Sequence, residues 1–364
     1  MRVTPPIEIT DTKLISSTAA EPHDPAAYNA GTTYALGAII KLSADFVIYE
    51  SLLDGNIGHT PKENPIWWKK VGVTETAYNA GTTYALGDTV SSSLYHRCYE
   101  SLAADNLGNP LPVPPETTTT KWMDVGPTNR FAMFDLSRNT QTVTASPLTV
   151  EIAPGQRINT VGLVGLVGNE VQISATSVQG GGTVYPNAYS ASATGIFDLN
   201  MRNVTNGYEY CFMPFSTLPS VIVFDIPPYS DIVITATITS TAGNVKCGAL
   251  IVGTYIYIGT TQYGVTNDGL NFSSITRDVF GEATLIPRRT VPKTEQMILV
   301  DSVYINQCKK ARERLNAIPA LWTGIDDDTS GWFDLLAILG IYTQFQISAP
   351  NNARAEINLA LEEI

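Results

Sequence analysis

Positive charge is scarce in this chain. Only 22 of its 364 residues are Lys or Arg, against 34 Asp or Glu, and the formal net charge is −12. That balance argues against a sequence-independent grip on nucleic acid or on an anionic membrane, both of which need clustered cations. Long apolar runs are also missing. No stretch approaches the roughly 20 residues that a membrane-spanning helix needs. The opening MRVTPPIEITDT lacks the charged and then apolar order of a secretory signal. The expectation is a chain made in the cytoplasm, with no nucleic-acid partner and no membrane insertion.

Cysteine and histidine are equally thin. Cys98, Cys211, Cys247 and Cys308 are scattered, which fits neither a zinc pattern nor a disulfide framework, and reduced, mostly buried thiols are expected. His23, His59 and His96 all lie in or beside the N-terminal third, and none belongs to an HExxH or a Gly-x-Ser-x-Gly motif. No phosphate-binding glycine loop opens a helix, and Gly180-Gly181-Gly182 reads as a hairpin turn. Asp326-Asp327-Asp328 is the one acidic cluster. It reads as a solvated turn or a site for a hard cation, and its spacing does not fit an EF-hand. The sequence therefore predicts no catalytic residues, no cofactor, no metal and no enzyme activity.

What the chain does have is a repeat. Residues 27–51 and 77–101 both begin AYNAGTTYALG, offset by 50 positions with the first eleven identical. Each copy closes on a tryptophan segment, at Trp67-Trp68 and at Trp122. The Asn-Ala-Gly and Leu-Gly steps read as turns, with Gly31, Gly37, Gly81 and Gly87 free to take positive φ. Asp88–Val90 and Leu94–Tyr99 read as two strands of a hairpin, and Asn109–Pro115 as an extended loop. A unit this small buries little surface, so its repeated Tyr, Leu and Trp residues are expected to build a miniature core. Duplication itself points to binding or bridging, where avidity helps.

The remaining chain divides by pattern. Residues 1–25 read as an extended arm, ordered by docking if at all. Residues 26–73 and 74–127 are the two modules. Residues 128–260 carry β-branched runs at Leu148–Ile152, Val171–Thr176, Ser220–Ile226 and Ile232–Ile238, several alternating with period two, which predicts a two-sheet sandwich. The glycine-laden run Val161–Gly168 suits a buried strand. Residues 261–293 read as a connector. Residues 294–364 read as a small α+β assembly domain, with a strand at Gln296–Val300, a helix from Val303 to Ala317 whose Tyr304, Cys308, Ala311 and Leu315 share one face, and strands to the C-terminus. The whole is expected to be mainly β and multidomain: two small β modules, a β-sandwich and a C-terminal α+β domain.

Two resemblances follow from these residues. The segment Tyr84-Ala85-Leu86-Gly87-Asp88-Thr89-Val90, then Tyr95 or Tyr99, the Gly108–Pro115 loop and Trp122 resemble the chitin-binding modules of carbohydrate-binding families 5 and 12. Tyr34 to Gly37, Tyr49, Gly58 to Pro61 and Trp67 or Trp68 repeat the resemblance, with Ala38 in place of the family's Asp, and in neither copy does the stretch after the Tyr strand, Glu50–Asp54 or Glu100–Ala104, carry the family's exposed aromatic residue. The resemblance implies glycan contact through Trp67, Trp68, Trp122, Tyr49 and Tyr99. Asn159–Leu166, Gly181–Tyr185 and Gly248–Gly253 look similar to the galactose-binding-like jelly rolls of tailed-phage structural proteins. Together these features resemble phage tail and baseplate proteins. They imply a virion component, made in a bacterial cytoplasm, whose partners are copies of itself, other tail or baseplate proteins and host surface glycan. A free carbohydrate-binding protein and a glycan hydrolase with accessory modules are the alternative readings.

Overall fold

The structure is a computed structural model. It describes residues 1–21, 25–42, 47–72, 78–92, 94–137, 140–187, 190, 192–200, 206–212, 217–241, 243–277, 279–325, 333–350 and 352–364. The chain is mainly β, with several sheets and little helix.

Its body is a stack of sheets. Glu170–Ser177 and Val233–Thr239 pair at the centre of a six-stranded sheet, and both bury alternate residues. This is the period-two signature of a sheet with one face on a core. Opposite lies a three-stranded sheet of Ser220–Val223, Thr160–Val164 and Ala249–Gly253, in which every residue is buried regardless of parity. Both faces are covered, which explains the unbroken apolar run. Val161, Leu163, Val221, Val223, Leu250 and Val252 pack into the sandwich core. Val164, Ile222, Ala249 and Ile251 turn the other way, onto Leu321, Phe333 and Leu339 of the C-terminal part. A Cβ on Gly162 would lie 2.5 Å from Leu321 Cδ2, so glycine is what lets the two layers close.

The third layer is an eight-stranded sheet. It runs Ile256–Tyr257, Arg2–Thr4, Ala320–Thr323, Ala337–Ser348, Arg354–Glu363 and Thr290–Asp301. Thr260–Thr261 and Thr266–Asn271 both pair with the outer edge of the last of these. A helix, Ile305–Arg314, covers its far side by burying Cys308 and Ala311, with Leu315 following, against Trp322 and Ile298. The helix is shorter than the spacing predicts. Ser302–Tyr304 winds as a 3₁₀ turn, whose tighter pitch swings Tyr304 off the buried face and against Tyr257. Ala317, at φ 57°, ends the segment ahead of Pro319.

The N-terminal segment is woven into this body. The Met1 ammonium donates to the Gly259 carbonyl at 2.7 Å, and Arg2–Thr4 fills a slot between two strands of the eight-stranded sheet. Leu14–Ser17 then forms the edge of the sandwich sheet beside Leu148–Ile152. The neighbour on which this arm docks is its own chain. His23 lies outside the described residues.

Within the predicted connector, Thr266–Asn271 pairs with Thr290–Glu295, and Ser274–Arg277 pairs with Ala283–Ile286. The described residues of 266–295 thus form one long ribbon. Asp326–Asp328 lie outside the described residues.

Candidate functional site

Each module is a three-stranded antiparallel sheet: Ile39–Leu42, Val47–Ser51 and Trp68–Gly72 in the first, Thr89–Ser92, Arg97–Ser101 and Trp122–Pro127 in the second. Leu94–His96, predicted as strand, is instead the turn before Arg97, with His96 at φ 52°. The repeated sequence produces a shared set of hydrogen bonds. Asn29 Oδ1 accepts from Gly31 N, and Asn79 Oδ1 from Gly81 N, both at 2.8 Å. Tyr34 Oη accepts from Asn29 N at 2.8 Å and Tyr84 Oη from Asn79 N at 2.7 Å. Asn56 Nδ2 donates to Ser51 Oγ and to the Trp67 carbonyl. Asn106 Nδ2 does the same to Ser101 Oγ and the Lys121 carbonyl. Trp68 Nε1 reaches the His59 carbonyl at 2.7 Å, and Trp122 Nε1 the Asn109 carbonyl at 3.0 Å. Gly37 and Gly87 take positive φ at the same turn, 79° and 86°.

This frame answers where the aromatic residues go. Trp68, Trp122, Tyr49 and Tyr99 are all buried, so none of the four can offer a ring face to a sugar. Tyr34 and Tyr84 meet Trp68 and Trp122 edge-on at 5.3 Å in both modules. A module of about 50 residues has few large side chains, and it uses its Tyr and Trp as core because nothing else fills the volume. Trp67 differs. It is half-buried and stacks on His59 at 4.1 Å, with the rings 12° apart. The second module has Lys121 and Asn109 at these places, so this stacked pair belongs to the first module alone.

What both modules do expose is aliphatic. Leu36 and Leu86 are 63% and 67% exposed, Leu52 and Leu102 both 37%, and Ile57 and Leu107 48% and 54%. These pairs sit at the same repeat positions, next to the Ser51–Asn56 and Ser101–Asn106 hydrogen bonds. The sequence reading missed them because Leu and Ile in a small module read as core. The signal was there: Leu36 and Leu86 follow a buried or half-buried Tyr by two residues, beside a positive-φ Gly that turns the chain outward.

The modules join the body differently. Ile40, Val47, Tyr49 and Trp68 of the first merge with the sandwich core, while Tyr84, Val90, Tyr99, Leu111 and Trp122 of the second form a separate core. The second module meets the body at His96, whose ring lies 3.6 Å from that of Phe131 and nearly parallel to it. Burial there pushes the His96 pKa down to about 4. Nearby, the fully buried Arg130 donates through Nε to the Ala19 carbonyl at 2.8 Å. The Glu21 carboxylate accepts from the Asn129 and Arg130 amides, and burial still holds its pKa above the usual range. Asp11 is raised to about 6 by burial, against the pull of Arg130 and Lys70.

Among the described residues no three His, Cys, Asp or Glu side chains come together as a metal site. No helix among them is long and apolar enough to cross a membrane. No family model and no curated protein matches this chain.

Proposed function

We propose that the chain is a structural component of a phage tail or baseplate, assembling as a homo-oligomer and presenting its two repeats for fibre attachment or host-surface contact. The observation that carries this reading is the same hydrogen-bonded frame built twice, each copy displaying the same three exposed aliphatic positions on a continuous β body. Two sites with the same exposed positions, held on one scaffold, gain avidity without any new contact. Because four of the five candidate aromatic residues are interior, the shared display face favours attachment to an apolar protein surface over stacking on sugar.

Antibody against the recombinant chain, applied to particles from an induced culture of the source bacterium, tests the assignment. Labelling of the tail end is expected, and its absence from intact and disrupted particles would end it. The alternative, a free carbohydrate-binding protein, is favoured by the His59–Trp67 pair. It predicts glycan-array binding that is lost in Trp67→Ala and kept in a Leu36→Ser, Leu86→Ser double variant.

A further inference from the structure

We propose that a basic groove along the helix Ile305–Arg314 binds an extended acidic segment of a partner protein. The groove is separate from the repeats, and no described residue of either module lines it. It consists of two cavities, of about 530 and 490 Å³, which share Arg314. Each falls within the roughly 300–1,000 Å³ of ligand sites. The helix supplies Asn306, Lys310 and Arg314, which recur every fourth residue and so form one stripe. Arg157 lines the second cavity from the segment between Leu148–Ile152 and Thr160–Val164. Ile7, Tyr255 and Ile256 give the groove its apolar lining.

Charge selects the class of partner. Three cations line the groove and no Asp or Glu does among the described residues, on a chain whose acidic residues outnumber its basic ones 34 to 22. Arg157, Lys310 and Arg314 are all exposed, and none has an ion-pair partner among the described residues. The adjacent Lys309, by contrast, pairs with Glu313 at 3.9 Å. A concave site lined by one sign of charge draws in the other. Spacing then selects an extended peptide. Lys310 and Arg314 are separated along the helix axis by about 6 Å. Alternate residues of an extended chain point to the same side and lie about 6.6 Å apart. Carboxylates at alternate positions would therefore meet the two cations in turn, and the apolar lining suits aliphatic side chains between them. A nucleic acid strand is disfavoured, because three cations on a chain of net charge −12 neutralise few phosphates.

The experiment probes the full chain with arrayed decapeptides that carry Asp at alternate positions and varied residues between them. Matched peptides with Asn for Asp, and oligothymidylate, are the comparisons. Peptides that bind are then titrated by fluorescence anisotropy against a Lys310→Gln, Arg314→Gln double variant and against Arg157→Gln. Acidic peptides are expected to bind where their Asn counterparts do not, and less tightly as salt is raised. The double variant is expected to weaken binding by at least about fivefold, with the circular dichroism of the native chain retained. Arg157→Gln lies on a different element and is expected to weaken binding in the same direction should the helix variant unfold. Equal binding of acidic and Asn peptides would overturn the proposal, as would native affinity in both folded variants. Tighter binding of oligothymidylate that is lost in the double variant would overturn it in favour of a nucleic acid.

Discussion

Asn56 and Asn106 do the same work in the two modules, each tying a strand end to the segment that carries the closing tryptophan. Both are buried, so an alanine leaves a serine hydroxyl and a carbonyl short of a donor. Asn106→Ala is expected to cost about 1–3 kcal/mol in urea denaturation, whereas Leu86→Ser should stay within about 0.5 kcal/mol because the side chain is already in solvent. A Leu86→Ser variant that unfolds the second module would mean the leucine is not a display residue. Two titrating groups offer a second test. Asp11 has its pKa raised from 3.8 to about 6, so its contribution to stability is present at low pH and lost as pH rises through 6. His96 is lowered from 6.5 to about 4, so its contribution is present at high pH and lost as pH falls through 4. The two slopes oppose each other between pH 4 and 6. Relative to the native chain, Asp11→Asn should lose stability as pH falls through that window and His96→Asn should gain it. Melting temperatures at pH 4.5 and 6.5 read the sign, and matching curves for all three proteins would refute the assignment.

At the scale of the element, the central three-stranded sheet explains most. Two of its strands, Thr160–Val164 and Ser220–Val223, are read easily from the sequence because burial on both faces demands continuous β-branched and aliphatic residues. The sequence signal does not say that the second face belongs to another part of the chain. Gly162 marks that contact. Gly162→Val would press against Leu321 and is expected to destabilise the body by about 1–3 kcal/mol, measured by denaturant unfolding. A neutral result would mean the layers can shift apart. The strands at Leu148–Ile152 and Val233–Thr239 were legible because alternation encodes a half-buried sheet directly. The strand at Arg2–Thr4 was not, because three residues carry no period and their pairing partners lie more than 250 positions away. The strands at Thr266–Asn271, Ser274–Arg277 and Ala283–Ile286 were not legible, because they are almost wholly exposed and so carry no alternating buried face to read.

At the scale of the whole molecule, the duplicated modules are not equivalent. The first shares its core with the sandwich and the second has its own. An isolated fragment 74–127 is therefore expected to keep near-ultraviolet circular dichroism from its packed Tyr and Trp, and fragment 26–73 to lose it. Equal behaviour of the two fragments would contradict the shared core. The difference suits a scaffold in which one module is fixed to the body and the other is carried beside it through the His96–Phe131 contact.

The sequence by itself determined the repeat, its turns, the β character of the body and the position of the longest helix among the described residues. Each of these is written in local spacing, where neighbours along the chain decide the geometry. Only the tertiary structure decided which aromatic rings are interior, that the N-terminal segment threads two sheets, and that a buried strand is shared by two layers. Those outcomes depend on which surfaces meet, and contact between residues hundreds of positions apart leaves no period in the chain to read.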